Sequence, residues 1–259
     1  MMERRSPFDE SSRKDVLGLV LFLLQNGVRL GKDEYSWKLI DGKFVETPEG
    51  IRFGLKGVGM LAETFLSQIH FAGLDLRGKT VVTAGAYIGD TPLYFSHYGA
   101  KVYAFEPSPV SFKIAEENLS LNPSLRDRVT LRNWAIGLDG EVDFPLEEDS
   151  GGTSIFERTN STVKVRSVSI STILKEFDLK DPYLLDLDVK GAEYYVVNDL
   201  GISNFEVLRI EYSPYLVEGA TLDHLISKVR EKGFKKVRVF KHNCLKFDLR
   251  DHGTLHAEK

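Results

Sequence analysis

Two hydrophobic rhythms divide the chain. Up to about residue 76 the apolar positions fall in short, mixed groups. Residues 16–24 (VLGLVLFLL) are a single apolar run, which predicts a buried helix with Ser11 or Ser12 as its cap and Gly27 as its stop. The run is far short of the roughly 20 residues that span a bilayer. Gln25, Asn26 and Gly27 behind it offer no small-residue cleavage site. Residues 37–40 and 43–46 flank Asp41-Gly42, the pattern of a β-hairpin, and residues 51–55 read as a further strand. Leu61, Phe65, Leu66 and Ile69 then recur with helical spacing over residues 58–70.

From Lys79 onward, continuous apolar runs alternate with amphipathic segments. VVTAG precedes a helix over residues 91–96, KVYAFE precedes one over 110–119, and VTLRNWAI follows. Residues 168–175, YLLDLDV, residues 193–200 and FEVLRIEY continue the alternation. Runs of this kind are parallel strands covered on both faces, and the right-handed crossover rule makes a doubly wound α/β sheet the simplest architecture. After a helix over residues 222–232, KVRVFK and CLKFDLR flank His242-Asn243 and predict a closing antiparallel hairpin.

The first strand carries the most chemistry. In VVTAGAYIGDT the strand ends near Ala84, and Gly85, Ala86 and Gly89 leave room for a ligand before a helix starts at Asp90-Thr91. Tyr87 and Asp90 stand where a dinucleotide fingerprint needs small residues, and no Lys-Ser/Thr follows, so neither that fingerprint nor a P-loop is present. The loop suits a nucleoside without pyrophosphate, such as S-adenosylmethionine. The second strand ends in Glu106-Pro107, where a carboxylate can accept both hydroxyls of a ribose. The third delivers Asn133, Trp134 and Ala135 toward the base, although Trp134 fits a core equally well. The fourth places Asp188 at the switch point, with Asp186 on the same face and Lys190 as its expected partner. Glu193 opens the next helix, and Glu211 ends the fifth strand on the same rim.

VVTAGAYIGDTPLYF, YAFEPSP, NWAIG and YLLDLDVKGAEYYVV, in that order and spacing, resemble the FkbM-type methyltransferases. The resemblance covers residues 76–212, and Ala62-Glu63-Thr64-Phe65 resembles the helix before the family's first strand. It implies a Rossmann-like class I methyltransferase fold with a seven-stranded sheet in the order 3-2-1-4-5-7-6, its last hairpin strand antiparallel. It implies S-adenosylmethionine as cofactor, bound by Thr83, Gly85, Ala86, Tyr87, Gly89, Asp90, Thr91, Glu106, Pro107, Asn133, Trp134 and Ala135. Asp188 is the first candidate to orient or deprotonate an acceptor, followed by Glu193 and Glu211. The chain departs from the family at Thr83, usually Asp, and at Tyr87, often Asn. The usual K-x-D-x-E-G-x-E becomes Asp186, Asp188, Lys190, Gly191 and Glu193, which suggests a charge pair between Asp186 and Lys190 with its polarity reversed.

Composition narrows the setting. A formal charge of -4 lacks the overall basic footprint of a nucleic-acid binder. A local cluster remains: Lys228, Arg230, Lys232, Lys235, Lys236, Arg238 and Lys241 with Phe234 and Phe240, suited to RNA as an alternative substrate. One cysteine, Cys244, permits neither an internal disulfide nor a multi-Cys zinc site, so a reducing, cytoplasmic setting is expected. Asp188, Glu193 and Glu211 have the oxygen chemistry for Mg²⁺, but strand-end carboxylates are common without metal, and none is expected. The expected organisation is an N-terminal helix and hairpin extension (1–75) and a cofactor-binding domain (76–259). The expected reaction is O-methylation of a small or sugar-like molecule, with RNA methylation or a non-catalytic binding role as rivals.

Overall fold

The computed structural model describes residues 17–20, 36–65, 73–146, 161–241 and 252–259. Strands β1 (Lys38–Ile40), β2 (Phe44–Glu46) and β3 (Arg52–Gly54) form a small antiparallel sheet. Its first turn holds Asp41 and Gly42 at φ 50° and 64°, the left-handed pair that an Asp-Gly turn supplies. Helix α1 (Leu61–Phe65) follows. The chain then runs through β4 (Thr80–Ala84), α2 (Asp90–His97), β5 (Lys101–Phe105), α3 (Pro109–Ser120), α4 (Pro123–Arg126) and β6 (Val129–Arg132). Next come β7 (Ala135–Ile136), β8 (Gly140–Pro145), β9 (Thr162–Val168), α5 (Ile170–Glu176), β10 (Leu184–Leu187) and α6 (Glu193–Val196). Strand β11 (Val207–Tyr212), helix α7 (Leu222–Glu231), β12 (Lys236–Lys241) and β13 (Gly253–Glu258) complete it.

Seven strands make the central sheet, in the spatial order β12-β13-β11-β10-β4-β5-β6. Numbered along the chain and read from the β6 edge, this is 3-2-1-4-5-7-6. Among the described strands of this sheet, β13 runs opposite to the other six. The period of two sorts each strand's side chains into two cores. Val81, Val102, Ala104, Leu184 and Val207 face one side, where Trp37, Phe53 and Phe65 of the N-terminal sheet and helix pack against them. Val82, Tyr103, Phe105, Leu185, Leu187, Leu208 and Ile210 face the other, against Ile170, Ile173, Leu225 and Val229. The N-terminal sheet is also tied by polar bonds. The Asn118 and Asn122 side chains accept from the Gly54 and Arg52 amides on β3, at 2.8 and 2.9 Å. They give those edge groups the partners a further strand would supply.

Four details correct the sequence expectations. VTLRNWAI is not one strand: β6 ends at Arg132, and β7 joins a separate sheet in the order β7-β9-β8 that carried no recognised signal. Val168 closes β9 rather than opening a helix, and α5 starts at Ile170 under the Ser169 cap, whose hydroxyl accepts from the Thr172 amide. Helix α6 stops at Val196, and a 3-10 turn forms at Leu200–Asn204. The partner of KVRVFK is β13, paired on both edges with Leu255 and Ala257 buried, whereas CLKFDLR lies outside the described residues. Of the apolar run at 16–24, residues 17–20 are helical with Leu19 buried; its other residues, the proposed caps and residues 66–70 lie outside the described set. Among the described residues no helix is long and apolar enough to cross a membrane.

Candidate cofactor-binding cleft

The carboxyl ends of β4, β5 and β10 open onto one cleft with an empty volume of about 670 Å³, counting its mouth. Of the residues singled out from the sequence, Gly85, Tyr87, Glu106, Pro107, Trp134, Ala135 and Asp188 line it. A parallel sheet does this because the chain must leave each strand at the same end, and adjacent crossovers diverge at the switch point.

Gly85 is where β4 meets the cleft. It sits at φ 86°, and a Cβ there would fall 2.2 Å from the Asp188 carbonyl oxygen. No residue with a side chain fits. Gly89, at φ 84°, precedes α2, and its own Cβ would press within 3.3 Å of Ala115. The first loop therefore lies flat between β10 and α3. Ala86, Gly89, Asp90 and Thr91 support that loop from behind the cleft wall. Asp90 accepts a hydrogen bond from the Thr64 hydroxyl, which ties α1 to the start of α2.

Glu106 sits just past β5, nearly inaccessible and without a cation among its hydrogen-bond partners. One carboxylate oxygen accepts from the Tyr87 amide at 2.7 Å and the other from the Ser108 amide at 2.9 Å. Burial pushes its pKa up to about 7, although both amides pull it down. Ser108 also caps α3, accepting from the Ser111 amide, so the loop after Glu106 is fixed at both ends. Asn133 was expected at the base. Its amide nitrogen instead donates to the Glu106 and Pro107 carbonyls at 2.8 and 3.0 Å, bracing the second strand's exit. Trp134 stacks on Phe105 with ring centroids 5.8 Å apart, while the Arg166 guanidinium sits 4.1 Å from its ring centroid. Ile136 and Phe144 extend this apolar wall from the small sheet.

The β10 side is built from ion pairs. Thr83, Asp186 and Arg209 lie directly opposite one another on β4, β10 and β11. The Thr83 hydroxyl donates to Asp186 Oδ2 at 2.9 Å, and Arg209 Nη1 donates to Asp186 Oδ1 at 3.2 Å. Arg209 Nη2 donates to Glu211 Oε2 at 3.1 Å, and Lys190 Nζ donates to Glu211 Oε1 at 2.8 Å. Lys190 also stands 2.9 Å from Asp188 Oδ1, and His252 Nε2 lies 3.7 Å from Glu211 Oε1. The expected Asp186–Lys190 pair is thus replaced: Arg209, which the sequence reading missed, neutralises Asp186. Burial alone would lower the Lys190 pKa, but Asp188 and Glu211 together hold it above its ordinary value.

Glu193 and Glu211, expected on the rim, face inward. Glu193 is fully buried, with its oxygens accepting from the Gly191 and Ser213 amides at 2.6 and 2.7 Å, and burial raises its pKa to about 7. Among the described residues, no group of three or more His, Cys, Asp or Glu is arranged to hold a metal ion. In the basic cluster, Phe234 is buried, Lys228 and Lys236 pair with Glu231 and Glu258, and Phe240 remains half exposed.

A doubly wound sheet in this order, with a buried carboxylate after β5 and a glycine turn after β4, is a Rossmann-like fold of the class I methyltransferase type. The model of the methyltransferase FkbM domain matches residues 84–236, and the chain belongs to that family. A methyltransferase of Sordaria araneosa, sdnD, is 28% identical over 163 residues, which are 50% of this chain and 63% of that protein. The match therefore spans less than two thirds of that relative's length. Among solved structures, precorrin-6y C5,15-methyltransferase from Geobacter metallireducens superposes with a TM-score of 0.41 at 14% identity, over 90% of this chain and 96% of that one. Fibrillarin from Aeropyrum pernix, solved with S-adenosyl-L-methionine, superposes with a TM-score of 0.44 at 13% identity, over 74% and 71% of the two chains.

Proposed function

We propose that the cleft binds S-adenosylmethionine and that the protein methylates an oxygen of a small, sugar-like acceptor. The observation that carries this reading is Glu106. A carboxylate has four lone-pair positions, and the Tyr87 and Ser108 amides use two of them. The other two suit the vicinal hydroxyls of a ribose. Gly85 supports it indirectly: without a side chain, the loop after β4 packs flat against the Asp188 carbonyl, which keeps the cleft open beside it. Trp134, Ile136 and Phe144 offer an apolar slot for the base.

When bound, the cofactor supplies an activated methyl group on a sulfonium. The residues of this chain fix its orientation and that of the acceptor. With a ribose held by Glu106, Asp188, which lines the cleft at the end of β10, would face the reactive end and orient the acceptor oxygen. Positioning of this kind supplies about 7–11 kcal/mol of barrier lowering.

Calorimetric titration with S-adenosylmethionine and S-adenosylhomocysteine, with NAD as control, tests the reading. Micromolar binding of the first two, lost in Glu106→Ala, is expected. Folded protein that binds neither overturns it. Binding without turnover on any acceptor would instead leave a non-catalytic role, and turnover confined to RNA would shift the acceptor class.

A further inference from the structure

We propose that Lys190 is the positioning residue of this cleft: bridging the ends of β10 and β11, it fixes the Asp188 carboxylate toward the reactive end. The proposal deepens the methyltransferase reading and rests on it for the identity of that end.

Three independent observations converge on Lys190. The first is backbone geometry. Lys190 adopts φ 44°, a left-handed conformation that a lysine holds only when its surroundings impose it, and Gly191 follows at φ 99°. This turn brings the side chain back over the strand ends instead of continuing outward. The second is the bridge itself, with Asp188 Oδ1 at 2.9 Å and Glu211 Oε1 at 2.8 Å from one ammonium. The third is burial. Asp188 Oδ1 is shut off from solvent, while the side chain as a whole keeps 26% exposure in a residue that lines the cleft. A carboxylate with one oxygen enclosed needs a counter-charge to stay ionised.

The field at Asp188 has identifiable sources. Glu106 faces it across β4 and Glu193 from α6, both like charges when ionised. Arg209 on β11 is an opposite charge, but Asp186 and Glu211 hold it. Glu211 lies beyond Lys190 with His252 beside it. Lys190 is the cation in direct contact. Without it Asp188 would face Glu106, Glu193 and Glu211 with no cation in contact to hold its carboxylate in place.

The first readout needs no ligand. It follows the Asp188 carboxyl signal against pH in protein carrying ¹³C-labelled aspartate carboxyls, with that signal assigned through Asp188→Asn. Lys190→Met should move its midpoint upward by a unit or more, about tenfold in the protonation equilibrium, and Lys190→Arg should restore it. An unchanged midpoint in folded Lys190→Met overturns the proposal. The second readout uses the charge of the cofactor. Preference for cationic S-adenosylmethionine over neutral S-adenosylhomocysteine should rise with pH more steeply in Lys190→Met than in the wild type or Lys190→Arg, where Glu106 and Glu193 alone ionise near neutrality. Equal slopes in all three proteins would also overturn the proposal. If the wild type binds neither ligand, the cofactor reading fails, while the carboxyl titration still decides the role of Lys190.

Discussion

The two halves of the cleft satisfy their buried carboxylates by different means. On the β5 side Glu106 is held by backbone amides; on the other side Glu193, between the ends of β10 and β11, is held the same way. On the β10 and β11 side Asp186, Asp188 and Glu211 are held by Arg209 and Lys190. Amides are dipoles and only partly offset desolvation, so Glu106 and Glu193 titrate near 7. Whole cations offset it further. The amide-held carboxylates are therefore poised to exchange a proton around neutrality, and the ion-paired side is locked in place by its cations.

The locked half should break most severely. Arg209→Met leaves Asp186 and Glu211 without their shared guanidinium, and urea unfolding should show a loss of about 3–5 kcal/mol. Adding Asp186→Leu should recover much of it, because a buried pair exchanged for apolar groups is often neutral. A loss below about 1 kcal/mol from the single change would mean that the cation contributes little to the fold. On the tunable side, Glu106→Gln removes the charge but keeps the shape. S-adenosylmethionine affinity should fall by about 1.5–3 kcal/mol, the range for hydrogen bonds to an ionised group. Equal affinity for both forms would separate Glu106 from the ribose.

The pH dependence sharpens the contrast further. Glu106 and Glu193 have folded pKa values of about 7 against a reference of 4.5, so the folded state holds extra protons between those values. Their contribution to stability is complete below 4.5 and is lost as pH rises toward 7. Melting temperature should decline over that window and decline less in Glu106→Gln. Cofactor affinity should run the opposite way and rise through neutrality, because the ribose hydroxyls donate to the ionised form. The smallest effect expected is that of Thr64→Val, which removes the Asp90 bond behind the loop and should cost about 0.5–1.5 kcal/mol by thermal melting.

The same division decided what was legible in the sequence. Glu106 and Gly85 could be placed at the cleft because that placement depends on position along one strand and its loop. Arg209 could not, because its partner is set by register. Asp186 meets it only once β10 and β11 are known to be neighbours aligned residue for residue. Lys190, four residues from Asp186, looked like the nearer partner, but its left-handed backbone turns it toward Glu211 instead. Phe144 reaches the cleft from the small sheet and Arg166 lies over Trp134; the alternation of Val142 and Phe144 and of Val163 and Val165 marks its strands, but a search for continuous apolar runs passes over them. Asn133 had the right position and the wrong allegiance: the carbonyls at the end of the neighbouring strand claim its amide first.

The chain has two tryptophans, and the fold gives them separate surroundings. Trp37 is sealed in the core beneath the N-terminal sheet, 6.1 Å from Phe65. Trp134 stands in the cleft wall beside a guanidinium. Their emission therefore divides into a blue component that follows unfolding and a redder one that a bound nucleoside base would quench. Fluorescence of the unlabelled protein can thus report occupancy and integrity in one spectrum, and single Trp→Phe variants would separate the two signals.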